Sequence, residues 1–338
     1  MKIADLGEFA LIDKIKENSI YSPKRVVQGI GDDAAVEKLE GEKYLLSAVD
    51  TMVEGVHFLR RKITPWQLGY KAVAINFSDL AAMGGVPTGI LVSLAVPGST
   101  EVEYVEEIYR GIKFLCKEYQ ANLLGGDTVS VKEGLVISVT VLGQVAPAEL
   151  TLRSGAEVGD LVLVTGSLGA SKAGLELIKR GYSKNEKYSA LLSQHLEPAP
   201  RLKEGRFLAK TGRITSMNDI SDGLVSEVQE IAEASQVGVE LWAEQIPVLD
   251  SVKSLAEQME ESFLDWALFG GEDFQLVFTC SKSAVKELKQ AFKEKFQHPL
   301  YTIGRATSQS AGLVLQRGDT KEQLVAGGYD HFNSPADK

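Results

Sequence analysis

Two observations predict an α/β or α+β protein of two domains. Strand-like and helix-like periodicities alternate through both halves of the chain. Its 338 residues suffice for two ordinary domains, and 44% apolar with 24% charged residues is the balance of a soluble globular protein. A third observation places the joint: residues 146–155 have no clear periodicity and include Pro147.

The elements follow in order. Phe9, Ile12 and Ile15 predict a short first helix. Apolar segments 34–39 and 44–49, separated by Glu40-Gly41-Glu42-Lys43, read as a β-hairpin. With its turn centred between Gly41 and Glu42, Asp33 and Asp50 become antiparallel partners, their β-carbons roughly 5 Å apart. Facing carboxylates repel, so in this register a cation should sit between them; with the turn centred elsewhere the two merely flank loops. Thr64 as N-cap and Pro65 at the first position start a helix that runs through Val73 and Leu80 to Gly84-Gly85. Asn76 and Asp79 share one of its faces, a polar pair costly to bury without partners. Residues 88–96 read as a strand. Thr100 and Glu103 read as a capping box for a second helix, with Val102, Val105, Ile108, Ile112 and Leu115 as its buried stripe. Gly125-Gly126-Asp127-Thr128 follows, where glycine lets a ligand approach the backbone. Residues 135–145 form a strand.

In the second half, strand 161–164 leads into Thr165-Gly166-Ser167-Leu168-Gly169-Ala170-Ser171-Lys172. This is not a P-loop, because Lys172 does not directly follow a glycine. It reads as a tight strand-to-helix turn. Glu197-Pro198-Ala199-Pro200 breaks the next helix. Met217-Asn218-Asp219-Ile220-Ser221-Asp222-Gly223 precedes a helix with Leu224, Val228 and Ile231 on its apolar stripe. One reading makes Ser221 or Asp222 its N-cap; the other makes this loop a cation site. Gly270-Gly271-Glu272-Asp273 leads into strand 275–279, with the two acids either capping a turn or reaching a ligand. Arg153, in the joint, is either a surface arginine or an anion ligand.

A net charge of -10, from 46 acids against 36 bases, disfavours nucleic acid as a partner. Cys116 and Cys280 lie in apolar periodic segments and read as buried free thiols. Residues 1–5 lack a signal-peptide pattern and no apolar run reaches spanning length, so the cytoplasm is expected and a membrane partner is not. His57, His195, His298 and His331 lie at no zinc spacing, and no Gly-x-Ser-x-Gly elbow occurs. What recurs is aspartate beside glycine or in short polar runs: Asp32-Asp33, Asp50, Asp79, Asp127, Asp219 and Asp222. Such hard oxygen donors suit magnesium, which takes few protein carboxylates and completes its shell with water and phosphate oxygens. More aspartates than one ion needs imply several ions and a highly anionic substrate pair. Phosphoryl transfer from a nucleoside triphosphate to an anionic acceptor fits that requirement.

The ordered set Gly31-Asp32-Asp33, Asp50-Thr51, Asn76-Phe77-Ser78-Asp79-Leu80-Ala81-Ala82-Met83-Gly84, Gly125-Gly126-Asp127-Thr128, Asp219-Ile220-Ser221-Asp222-Gly223-Leu224 and Gly270-Gly271-Glu272-Asp273 resembles the bacterial thiamine-monophosphate kinases, of the aminoimidazole ribonucleotide synthetase-like superfamily. The resemblance runs from Gly7-Glu8-Phe9 to Gly328-Tyr329-Asp330-His331-Phe332. It implies that superfamily's two-domain fold: an N-terminal mixed sheet with helices over 1–147, binding ATP and magnesium, and a C-terminal α/β domain over 148–338 completing the active site. It implies ATP-dependent conversion of thiamine monophosphate to thiamine diphosphate with several Mg2+ ions, and a homodimer whose N-terminal domains share a sheet. By motif position, Asp33, Asp50, Asp79, Asp127, Asp219 and Asp222 would serve the metals. Tyr109, Gly126, Asp127, Arg153 and Ser221 would contact ATP. His57, Glu272 and Tyr329 would contact the thiamine phosphate; the blander readings are a loop histidine and a tail anchored by packing. No residue is expected to act as a covalent nucleophile. The chain departs from the family at Ala48 and Val49, where hydroxyl residues are frequent. A purine-pathway ring synthetase of the same superfamily and a non-catalytic calcium-binding module are the competing readings.

Overall fold

A computed structural model describes residues 8–16, 19–182 and 186–325. Tyr329 and the rest of the C-terminal motif lie outside the described residues. Two sheets carry the fold. The first has the order β1-β2-β3-β6-β4-β5, with β1 Val26–Gln28, β2 Ala35–Lys38, β3 Tyr44–Val53, β4 Val86–Pro97, β5 Asn122–Val131 and β6 Val136–Val145. It is antiparallel except for the β4–β5 pair, so the sheet is mixed as expected. The second has the order β13-β12-β9-β11-β7-β10-β8, with β7 Leu161–Val164, β8 Ile214–Asp219, β9 Val237–Trp242, β10 Leu276–Cys280, β11 Tyr301–Ser308, β12 Leu313–Arg317 and β13 Thr320–Gln323.

The two sheets are covered differently. In the first, Leu46, Met52, Val92, Leu94, Ile137 and Val139 point to one face and are buried beneath helices Pro65–Ala82 and Val102–Tyr119. Alternation sends Val49, Leu91 and Val129 to the other face, where they are 60%, 41% and 50% exposed. The second sheet, apart from its exposed edge strand β13, is buried on both faces. Leu163, Met217 and Phe278 join the core of the first half, while Val162, Val164 and Val277 pack in a second core with the Leu224–Ser235 helix.

Helix Pro65–Ala82 ties the halves together. Thr64 caps it reciprocally with Gln67, and Pro65 occupies its first turn. It packs on the first sheet, on Val102–Tyr119, on helix Leu202–Lys210 and on β8. A helix so enclosed is apolar nearly all round, so the buried Lys71, Asn76 and Ser78 on it each need a partner.

Four local expectations are corrected. The hairpin forms, but Ala35 pairs with Ser47 and Lys38 with Tyr44, one residue away from the register that would set Asp33 against Asp50. Gly41, at φ +107°, lies at the centre of the connection and takes a backbone form that other residues avoid. A slip of one residue exchanges the faces, and Asp33 lies before β2, in the loop, rather than on it. Thr100 does not cap the second helix: Glu101 is at the N-cap and makes no side-chain cap bond. Val102, expected in the buried stripe, is 67% exposed, whereas Ile108, Ile112 and Leu115 are buried. Nor do Ser221 and Asp222 cap the Leu224–Ser235 helix, because Gly223 occupies the N-cap. Cys116 and Cys280 are free and buried. No helix among the described residues is long and apolar enough to cross a membrane.

Candidate active site

Five of the predicted metal aspartates interact through space. Asp33 comes from the loop before β2, Asp50 from β3, Asp79 from the Pro65–Ala82 helix, Asp219 from the last position of β8, and Asp222 from the loop that follows. Burial pushes the Asp79 carboxyl well above the usual carboxylate range, and Asp50, Asp219 and Asp33 push it further. Burial raises Asp33 likewise, against Arg153 and with Asp219. Asp50 is pushed to about 6 by burial, Asp219 to about 6 by burial against the Ser78 hydroxyl, and Asp222 to about 7 by burial and Glu230. These carboxylates are crowded and short of positive charge.

Their supports are specific. Ser78 Oγ donates to Asp219 Oδ2 at 2.5 Å. Asn76 Oδ1 accepts from the Asp50 backbone N–H at 3.1 Å, and its amide nitrogen donates to the Ala72 carbonyl. Thus both buried polar residues flanking Phe77 serve the acid cluster. Arg153 is the cation inside it. Its Nη2 lies 2.5 Å from Asp33 Oδ1, its Nη1 3.0 Å from Glu230 Oε2, and its Nε donates to Asn218 Oδ1 at 3.3 Å. Its backbone N–H donates to Asp32 Oδ2. Glu227 orders the Ser221–Asp222 loop: it accepts from Ser221 Oγ at 3.1 Å, from the Asp222 N–H at 2.9 Å and from Asn218 Nδ2 at 2.6 Å.

Among the described residues, no three His, Cys, Asp or Glu side chains already form a metal cage. The donor set nonetheless fits magnesium. Asp33 Oδ2 is buried without a hydrogen-bond partner, and the surrounding carboxylates are hard oxygens that repel one another. An ion that keeps most of its shell for water and phosphate needs only one or two of them.

Asp127 stands apart. It lies exposed on edge strand β5, its Oδ1 accepting from the Thr128 N–H. It pairs with Ser93, which pairs with Ser138 and through it with Thr51, on the open face of the sheet. Asp50 is one row over, on the helix-covered face, together with Val139, Val92 and Gly126. Three strand spacings separate β3 from β5, about 14 Å. One ion within one chain therefore does not take both. Gly126 is required where it stands, since a Cβ there would come within 1.8 Å of the Val92 carbonyl oxygen. Tyr109 is nearby, hydrogen-bonded to Thr128, and lines a groove of about 600 Å³ with Thr100, Arg110 and Lys113. The predicted nucleotide residues thus fall into two groups: Tyr109, Gly126 and Asp127 at the β5 edge, and Arg153 and Ser221 in the acid cluster.

Of the predicted acceptor residues, His57 and Glu272 lie within electrostatic reach of each other. His57, in the turn after β3, takes the Val53 N–H on Nδ1 at 3.0 Å and helps keep Glu272 ionised. Glu272 sits at φ +64° before β10 and donates its N–H to the Ser221 carbonyl at 2.6 Å, which joins it to the Asp222 loop. Its neighbour Asp273 accepts from the N–H groups of Gly169 and Ser171 at the start of helix Ala170–Lys179, so it caps that helix from a distance. Burial still pushes the Asp273 carboxyl up to about 7. Sequence reasoning missed Lys71, His195, Asn218, Glu227 and Glu230. A lone lysine inside an otherwise apolar helix was the available signal for Lys71.

The chain matches AIR synthase related protein, N-terminal domain, over residues 31–145, and AIR synthase related protein, C-terminal domain, over residues 157–315. It is 39% identical over 331 residues to the thiamine-monophosphate kinase of Bacillus subtilis, covering 97% of this chain and 100% of that one. The chain belongs to the thiamine-monophosphate kinase family. The family member of Escherichia coli is 36% identical over 335 residues, covering 97% of this chain and 99% of that protein. A solved structure, AaThiL complexed with AMPPCP and TMP, superimposes with a TM-score of 0.84 at 35% identity, covering 98% of this chain and 99% of its own. Membership agrees with a fold of two AIR synthase-type units, each a sheet with helices.

Proposed function

We propose that the chain transfers the γ-phosphoryl group of ATP to thiamine monophosphate, giving thiamine diphosphate and ADP, by direct in-line displacement with several Mg2+ ions. The observation that carries this is the cation-poor group Asp33, Asp50, Asp79, Asp219 and Asp222 next to the His57–Glu272 pair. The family match and a structural relative holding an ATP analogue and TMP supply the reactants. Magnesium, when bound, would offset the charge of two polyphosphate partners and polarise the transferring group. Asp33, Asp50, Asp79, Asp219 and Asp222 would hold it. Arg153 would contact nucleotide phosphate, with Ser221 and the Asp222 loop held in place by Glu227. His57 and Glu272 would hold the acceptor, and we retain Tyr329 for the same role.

The acceptor's phosphate oxygen attacks Pγ as the Pγ–O bond to ADP breaks. That oxygen is already ionised near neutral pH, so no general base is needed, and the cluster's aspartates are committed to cations rather than to a phosphoenzyme. Residues 1–147 act as the ATP- and magnesium-binding domain and 148–338 complete the site. The split nucleotide residues and the exposed Val49, Leu91 and Val129 support a homodimer joined through the first sheets of two copies: a second copy's β5 edge would bring Tyr109, Gly126 and Asp127 to the acid cluster, and the exposed apolar residues would be covered. The test is a magnesium–ATP assay offering thiamine monophosphate, free thiamine and formylglycinamidine ribonucleotide. Thiamine monophosphate turned over far faster than either supports the proposal. Preference for the ribonucleotide would move the chain to the ring synthetases, and equal use of free thiamine would refute the phosphate-acceptor mechanism.

A further inference from the structure

From the geometry around Glu272 we infer that Lys71 is a positioning residue for acceptor binding: it reaches across from the first half of the chain and fixes the carboxylate that reads the thiamine phosphate. The inference rests on the acceptor role proposed for Glu272. Lys71 lies in the middle of helix Pro65–Ala82 with its side chain 1% exposed, and no step of the reaction uses it. A lysine so enclosed is held there by a strong partner or not at all. The partner is Glu272: Lys71 Nζ stands 2.9 Å from Oε1 and 3.0 Å from Oε2.

A second hand steadies the same group. His195, buried on helix Ser189–Leu196, has its Nδ1 3.1 Å from Glu272 Oε2 and 3.0 Å from Ser171 Oγ. Burial and then Lys71 push the imidazole down to about 4, so at neutral pH it is uncharged. A neutral ring protonated on Nδ1 donates to the carboxylate without adding charge. The Glu272 backbone N–H is tied to the Ser221 carbonyl. The side chain remains 31% exposed, so Lys71 and His195 grip it from below while one side stays open to a ligand. With Lys71 taking both oxygens and His195 one of them, Glu272 retains acceptor capacity for about one donor group of the acceptor. The same helix carries Asp79 and, through Asn76, the backbone of Asp50. One rigid element thus sets acceptor and metal groups relative to each other.

A merely structural ion pair would influence folding and leave the two substrates equally affected. The test therefore measures KM for both substrates in Lys71→Met, Glu272→Gln and the double variant, each checked for a cooperative thermal transition. The positioning role predicts that K71M raises the KM for thiamine monophosphate by about tenfold or more, with the ATP KM within about twofold. It also predicts that K71M adds no more than about twofold on top of E272Q, because the lysine acts through that carboxylate. An acceptor KM unchanged or lowered in folded K71M, or both KM values rising together, overturns the inference. If K71M does not fold, the double variant decides, since it leaves no charge unpaired. An acceptor KM equal to that of E272Q supports positioning, and one about tenfold higher contradicts it. If E272Q itself leaves the acceptor KM unchanged, Glu272 does not read the acceptor and both readings fall. If E272Q raises it while K71M does not, only the role of Lys71 falls.

Discussion

Two part-buried charged groups of the site have opposite charge balances. Around Glu272, one carboxylate has Lys71 on both oxygens, His195 beside it and His57 nearby; burial pushes it up, yet these groups hold it below the usual carboxylate range. Around Arg153, the guanidinium is shared by Asp33 and Glu230 while Asp79 and Asp219 crowd in, and the aspartates are pushed up instead. The difference teaches what each place is for. A compensated carboxylate is a finished contact, ready to accept a hydrogen bond. An uncompensated cluster is unfinished until cations arrive.

The largest expected effect is on turnover in the uncompensated group. Asp219→Asn keeps the shape of a buried side chain bonded to Ser78 and removes one charge. Turnover should fall by about a thousandfold or more, with far-UV circular dichroism unchanged. Near-wild-type turnover would remove Asp219 from the metal set.

The next contrast is in sign. Neutralising Glu272 leaves Lys71 buried and unpaired, so E272Q should lower stability by about 2 kcal/mol, reduced from the cost of a fully buried pair because the side chain is part-exposed. Neutralising Asp79 relieves repulsion, so Asp79→Asn should raise metal-free stability by about 1 kcal/mol. Urea unfolding in the presence of a chelator reads both. Changes of the same sign would erase the distinction between the two groups.

A smaller effect follows for pH. Asp50, Asp219 and Asp222 have folded values of about 6, 6 and 7 against 3.8 for the ordinary side chain. A raised acid binds its proton more tightly in the folded state, so its stabilisation is complete below the unfolded value and is lost as pH rises through the folded one. Metal-free protein should therefore melt at progressively lower temperature between about pH 4 and pH 7, and magnesium should reverse much of the loss at the upper end. A melting temperature that rises over that interval without metal would contradict the crowding.

Much of this was legible in the sequence, unevenly. Most aspartate motifs sit where an apolar run ends, and that local signal placed Asp50 just past a strand, Asp79 on a helix and Asp219 before one; the strand in fact runs through Asp50 to Val53. The alternation gave an α/β or α+β class, and the length gave two domains. Register was harder, because Glu40-Gly41-Glu42-Lys43 admits more than one turn and a slip of one residue leaves the apolar pattern on paper almost unchanged. The supporting residues were harder still. Lys71, His195 and Glu227 lie within helical apolar stripes, and their roles arise from partners 201, 77 and about 5 residues away in the chain that periodicity does not connect. The separation of Asp127 from Asp50 is likewise a property of strand order, which the sequence does not display.

The most direct test of the uncompensated cluster is the proton balance of magnesium binding. Cation binding must ionise carboxylates whose protons are held up to about pH 6–7, so it should release protons at about pH 6.5 and few at about pH 8.5. Calorimetric titration in two buffers of different ionisation enthalpy measures this. The predicted result is a buffer-dependent heat at the lower pH that vanishes at the higher one. Equal heats in both buffers at the lower pH, with magnesium bound, would contradict a site built from crowded, proton-holding aspartates.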